Sequence, residues 1–226
     1  GENVYYSRDI ASAAALALAG KRIYLELHDI PRFFHVIKLL RKRMAGIVVI
    51  SSGIASGLGK KGFPSSKIKV LRDGFDASLF RGLSQEEARR LLGLPAAVRM
   101  VVYCGSAEPW KGVHALLDAA KTFKGEIEFY FILSGDMKLA AAFKREADKV
   151  PHVKVLTERP HREIPLWLAA ADAAVIPNLP DREISRLYTS PLKLFEAMAA
   201  GKAIAASRIP SLTEVLNDEN SFLLFA

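Results

Sequence analysis

The chain has a single cysteine, Cys104, so no disulfide can form within it, which fits a reducing compartment. Cys104 sits in the apolar run MVVYCG and reads as a core residue, not a nucleophile. No apolar run reaches the roughly 20 residues of a membrane span, and no signal peptide is visible. A G-x-G-x-x-G turn after a strand is missing, which argues against a nicotinamide dehydrogenase. The run SGLGKKG, residues 56–62, has a different spacing and follows a helix-like segment. The P-loop pattern G-x4-G-K-S/T and the hydrolase elbow G-x-S-x-G are also missing. His35, His114, His152 and His161 are scattered without metal-ligand spacing.

Acid is scarce in one region. Between Lys21 and Arg72 there are 12 Lys and Arg against Glu26 and Asp29, a surplus of ten where the whole chain carries +8. The densest part is FFHVIKLLRKRMAG, Phe33 to Gly46, where Lys38, Arg41, Lys42 and Arg43 alternate with apolar residues. Such a basic amphipathic helix suits an anionic membrane surface, an anionic substrate or an ordinary solvated face. No zinc-finger spacing, RNP pattern or aromatic–basic interleaving points to nucleic acid.

What is present is alternation. Strand-like runs (NVYYSR, KRIYLELHD, GIVVISS, KIKVLRDGFD, RMVVYCG, IEFYFILSG, HVKVLTE, ADAAVIPN, AIAAS, SFLLFA) are interleaved with helical ones. This predicts parallel sheets in an α/β fold. Asp opens the helix in DIASAAALALAG, and Ser84 with Glu87 forms a capping-box pattern. The division reads as residues 1–78 and 79–226, two Rossmann-like domains, the first incomplete.

The stretch SPLKLFEAMAAGKAIAAS, Ser190 to Ser207, predicts a buried helix, a stop at Gly201 and a covered strand. Pro191 fits the first turn and Ser190 the cap before it. Lys193 and Glu196 share one narrow wedge of that helix. They either pair with each other or open onto a ligand, with the helix start facing an anion.

Five stretches in order carry a resemblance: ELHD (Glu26 to Asp29), VISSGI (Val49 to Ile54), VLRDGFDASLF (Val70 to Phe80), YCGSAEPWKGVHALLDA (Tyr103 to Ala119) and SPLKLFEAMAAGKAIAAS. Together they resemble a family 4-type glycosyltransferase of the GT-B architecture over nearly the whole chain. AADAAVIPN is similar to the family's strand before the donor helix. The resemblance implies a retaining, metal-independent transferase with no cofactor, its donor a nucleotide-diphosphate sugar and its acceptor a growing polysaccharide or lipid-linked glycan. It implies a cytoplasmic enzyme, possible membrane contact through Phe33–Gly46 at the inner face, and further residues beyond Gly1 and Ala226. A catalytically incomplete nucleotide-sugar-binding module is the alternative.

By position, Glu196 matches the glutamate that accepts hydrogen bonds from the ribose, and Lys111 the lysine on the diphosphate. Gly105 lies in the matching glycine turn. Ser190, Pro191 and Leu192 mark the helix start that faces the phosphates or sugar, with Lys193 a second cation or a partner of Glu196. His28 matches a histidine near the reacting sugar, where it donates a hydrogen bond; its alternative is a strand-end residue satisfied by backbone. Glu26, Asp29 and Arg8 lie nearby with surface roles equally open. Two positions depart from the pattern: Tyr188 replaces the first glutamate of E-x7-E, and Ser106 replaces an arginine. Phosphate neutralisation would then lean on Lys111 and on Lys193 or Arg186. The loop DREISRLYTS, Asp181 to Ser190, is expected to be a flexible donor loop or a plain polar one.

Overall fold

The computed structural model describes residues 3–123, 127–216 and 222–225. Its strands in chain order are β1 (Val4–Ser7), β2 (Arg22–Leu27), β3 (Gly46–Val49), β4 (Ile68–Val70), β5 (Arg99–Ser106), β6 (Ile127–Ser134), β7 (Val153–Thr157), β8 (Ala173–Ile176), β9 (Ala203–Ser207) and β10 (Phe222–Phe225). The helices are α1 (Ile10–Leu18), α2 (Phe34–Leu40), α3 (Ser52–Lys60), α4 (Gln85–Leu92), α5 (Val113–Lys121), α6 (Met137–Ala147), α7 (Ile164–Ala170), α8 (Leu192–Ala199) and α9 (Pro210–Thr213). The expected α/β alternation is present. The closing run SFLLFA supplies β10, while its end residues Ser221 and Ala226 lie outside the described residues.

The chain forms two compact units, Gly1–Asp73 with Glu183–Ser190, and Gly74–Arg182 with Pro191–Ala226. The sequence suggested a break at 78/79. The change comes earlier because the 3-10 turn Ala77–Phe80 packs on α7 and α8 of the second unit, and Phe75 meets the Phe80 ring edge-on.

The first unit holds a four-stranded parallel sheet in the order β1-β2-β3-β4. Ala13 and Ala17 of α1, Ile37 of α2, and Ile54 and Leu58 of α3 cover the buried residues Ile23, Leu25, Ile47 and Val49. The Asp9 side chain accepts from the Ser12 amide at 2.7 Å, as the sequence expected, and starts α1. The basic helix is shorter than expected, spanning Phe34–Leu40. Phe34, Ile37 and Met44 turn inward, whereas Phe33 and Leu39 stand out at 67% and 79% exposure.

Residues 183–190 form no plain loop. Ile184–Tyr188 is a single π-helical turn lying on α3. Ser51 Oγ donates to the Leu187 carbonyl at 2.8 Å, and the Asp73 amide donates to Ser190 Oγ at 2.9 Å. Tyr188 packs against the first core, its hydroxyl 3.3 Å from Glu183. At Gly53 the approach is so close that a Cβ would stand 2.2 Å from the Leu187 carbonyl oxygen.

The second unit has a six-stranded parallel sheet in the order β10-β9-β8-β5-β6-β7. Order reverses between β5 and β8, the arrangement of a doubly wound Rossmann sheet, whose ligand crevice opens at the strand ends of that reversal. The two faces follow the period of two. Met100, Val102 and Cys104 join one core with α4, α7 and α8; Tyr103, Phe131 and Leu133 join the other with α5 and α6. Arg89, buried on α4, ties this unit together: it donates to the Ala170 carbonyl at 2.9 Å and to Asp172 at 2.8 Å.

Candidate functional site

The reversal between β5 and β8 gathers most of the expected donor residues in the second unit. β5 ends at Gly105–Ser106, where the Tyr103 hydroxyl donates back to the Ser106 carbonyl at 2.8 Å. A Cβ on Gly105 would stand 2.8 Å from that hydroxyl, so the strand end accepts only glycine without rearrangement. Beyond it, a 3-10 turn at Pro109–Lys111 delivers Lys111. Gly112 has φ +73°, and a Cβ there would lie 1.7 Å from the Pro177 carbonyl oxygen. The Leu179 amide donates to the Trp110 carbonyl at 2.9 Å. The W-K-G turn is thus pinned against the segment that follows β8.

That segment carries Asn178, buried at 1% exposure. Its Oδ1 accepts from Lys193 Nζ at 3.2 Å. Lys193 Nζ also lies 4.7 Å from the centre of the Tyr103 ring, and Lys111 Nζ lies 4.0 Å from the centre of the Trp110 ring. Burial lowers the pKa of both lysines. Lys111 is shifted down despite Glu108, and Lys193, repelled also by Lys111, is pushed down to about 7.

Glu196 is buried one turn along α8. The Lys193–Glu196 pair does not form: among the described residues, the ionic neighbour of Glu196 is His161, Nε2 to Oε1 at 3.4 Å. Burial raises the Glu196 pKa and His161 partly offsets this. Ser190 is not the cap of α8. Its hydroxyl is taken by the Asp73 amide, and Pro191 is the residue before the helix, its carbonyl accepting from the Leu194 and Phe195 amides at 2.8 and 3.2 Å. Gly201, at φ +64°, ends the helix as expected.

The first unit has its own polar cluster at the ends of β1 and β2, where alternation puts Tyr6, Arg8, Glu26 and His28 on one face. Glu26 accepts from Tyr6 at 2.5 Å and from His28 Nε2, with Arg8 Nε at 3.5 Å. One Arg8 nitrogen lies 3.1 and 2.9 Å from the two His28 ring nitrogens, near-equal distances that fit a guanidinium over the ring face. Burial alone would raise the Glu26 pKa, but these donors hold it below its ordinary value. His28 is therefore bonded through a carboxylate, not satisfied by backbone alone. Glu26, His28 and Asp73 also bring ligand atoms within 4.8 Å of one another, though Arg8 already supplies positive charge there. Asp29 bonds the Ile30 amide at 2.5 Å.

The remaining histidines have local roles or none that bears on a site. His114 pairs with Glu146 at 3.2 Å, His152 bonds the Ala120 carbonyl at 2.8 Å, and His35 is exposed. Asn178 and Tyr103 were not read as site residues from the sequence, and His161 was read only as one of the scattered histidines. Nothing in the spacing of Asn178 or His161 relates them to Lys193 and Glu196; only the strand order brings them together.

Comparison with known proteins agrees with this geometry. The profile described as "Glycosyl transferases group 1" matches residues 98–226. A D-inositol 3-phosphate glycosyltransferase of Thermobispora bispora is 27% identical over 162 residues, 66% of this chain and 36% of that protein. Its counterpart in Corynebacterium urealyticum is 27% identical over 199 residues, 80% of this chain and 45% of that protein. The chain thus spans less than half the length of these relatives. Among solved structures, Anabaena HepE in complex with UDP and glucose superposes at TM-score 0.77 with 20% identity, covering 99% of this chain and 64% of that one. WaaG, a glycosyltransferase involved in lipopolysaccharide biosynthesis, superposes at 0.67 with 16% identity, covering 100% and 62%. At those identities the structures speak for the fold, that of GT-B glycosyltransferases.

Proposed function

The chain belongs to the group 1 glycosyltransferases, and from that premise we propose that it is the nucleotide-sugar-handling part of a retaining, metal-independent hexosyl- or glycosyltransferase. The observation that carries the reading is the convergence of Lys111, Lys193, the α8 start and Glu196 at the strand-order reversal of the second unit. A nucleotide-diphosphate sugar needs a cationic, amide-lined place for its phosphates and a carboxylate for its ribose. Lys111 and Lys193 would neutralise the diphosphate as it leaves and the sugar gains oxocarbenium character. Glu196 would accept from the ribose hydroxyls. His28, held by Glu26, would hydrogen-bond the reacting sugar.

The acceptor would be a glycan or lipid-linked sugar, and the enzyme would work in the cytoplasm. Membrane contact would run through Phe33–Gly46, whose exposed Phe33 and Leu39 stand among Lys38, Lys42 and Arg43. No described helix is long and apolar enough to cross a membrane.

The test is calorimetric titration of UDP, GDP and ADP into the chain and into Glu196→Ala. UDP comes first because HepE holds it. Binding of one nucleotide, weakened at least about tenfold in the variant, is expected, since a hydrogen bond to a charged group contributes about 1.5–3 kcal/mol. Equal binding by both proteins would refute the role of Glu196. Consumption of the nucleotide-sugar then separates an enzyme from a binding module.

A further inference from the structure

Among the described residues, Lys193 has no anionic partner. Its side chain is half-buried on α8. Among the described residues no carboxylate lies within ion-pairing distance of it. Its one hydrogen bond goes to a neutral amide oxygen, Asn178 Oδ1 at 3.2 Å, and its other neighbour is the Tyr103 ring face at 4.7 Å.

The charged and titratable groups bearing on it can be named from each packed element. On β5, the Tyr103 hydroxyl and the Cys104 thiol are both shifted upward by burial, so both are neutral at physiological pH. From the turn after β5 come Glu108, favourable but not in contact, and Lys111, unfavourable. On its own helix, Glu196 is engaged with His161. Asn178 adds a second sign of incompleteness. With Oδ1 facing Nζ, Asn178 Nδ2 is buried and has no hydrogen-bond partner among the described residues.

Two lysines that are both shifted by burial and repel each other cannot both stay charged cheaply while no anion is present. We propose that anion binding at this site is coupled to uptake of a proton by Lys193. The unliganded site holds Lys193 largely neutral above neutral pH; the diphosphate brings the counter-charge that makes a second ammonium favourable, and the proton comes from solvent. The proposal rests on the donor-site reading above and adds to it a direction: affinity falls as pH rises.

The test is calorimetry of UDP and ADP at pH 8 in buffers of low and high ionisation enthalpy. A nucleotide's terminal phosphate, with a pKa of about 6, is already ionised there. Lys193, its pKa pushed down to about 7 by burial, is mostly neutral at pH 8. Net proton uptake on nucleotide binding is expected, larger at pH 8 than at pH 7. Lys193→Met should bind more weakly and take up none. Lys193→Arg, which stays charged, should bind without uptake. In the free wild-type chain, side-chain carbon spectra should show one lysine titrating near pH 7 that is missing in Lys193→Met. That measurement decides alone should the arginine variant not fold.

Nucleotide binding whose heat is independent of buffer would overturn the proposal and leave the donor site standing. So would a free chain in which every lysine titrates in the ordinary range. A folded chain that binds no nucleotide, but shows the neutral lysine, would overturn the donor-site reading and with it the coupling.

Discussion

At the scale of single residues, the second unit carries a carboxylate whose burial is unfavourable. Glu196 would be better placed, for stability alone, as a neutral side chain. Its folded pKa is raised, so the protonated form is the one the fold prefers. The sign follows: the stability tied to that proton is complete below the ordinary carboxylate range and is lost as pH rises through the raised folded value. Glu196→Gln should therefore match wild type near pH 4 and exceed it at pH 8. A gain of about 1 kcal/mol would raise the melting temperature by about 2–4 °C in a protein of this size. The same variant should lose nucleotide affinity. Thermal melts across pH check the first claim; a wild type that gains on the variant as pH rises would refute it. Glu196 was legible in the sequence because a carboxylate on so apolar a helix needs a reason. Its partner His161 was not, since a histidine in a polar turn gives no signal of the helix it will meet.

At the scale of elements, periodicity made the fold legible and close approaches stayed hidden. The alternation of strands and helices, the Asp9 and Ser84 caps and the Gly201 stop could all be read, because each depends on neighbours in sequence. The displaced cap at Ser190 and the π turn at Ile184–Tyr188 could not. Both depend on contacts with Asp73, Ser51 and Gly53, remote in the chain. Glycine shows the difference in a testable form. Gly59 lies within α3 with nothing near its missing Cβ, so Gly59→Ala should stabilise by up to about 1 kcal/mol through helix propensity. Gly112→Ala places a methyl against the Pro177 carbonyl at positive φ and should cost about 2 kcal/mol or more. It should also displace Lys111 and weaken nucleotide binding. Gly53→Ala should cost a similar amount by lifting residues 183–190 off α3, without the positive-φ term. Denaturant melts of the three variants give the ranking. A Gly112→Ala protein as stable as wild type would mean that the turn is not pinned as described.

At the scale of the whole molecule, the surplus of positive charge belongs to the first unit's early segment and not to the donor site. The two cations proposed for the diphosphate, Lys111 and Lys193, contribute little to a net charge of +8. The residues from Lys21 to Arg72 account for more than all of it. On α2 and the turn after it, Lys38, Lys42 and Arg43 are exposed beside Leu39 and Phe33. Interfacial adsorption needs this combination, because charge brings the face to an anionic surface and apolar side chains hold it there. Flotation with vesicles rich in anionic lipid should carry the chain upward at low salt and less at high salt, and neutral vesicles should carry little. Near such a surface each basic residue contributes about 1 kcal/mol. Reversing Lys38, Lys42 and Arg43 to Glu together should then reduce partitioning by at least about 100-fold. Leu39→Ser with Phe33→Ser should weaken it while leaving the salt dependence in place. None of these substitutions touches the second unit's sheet, so nucleotide affinity should stay at its wild-type value. Undiminished vesicle binding by the charge-reversed chain would show that the basic face is an ordinary solvated surface, and the acceptor's lipid character would lose its physical support.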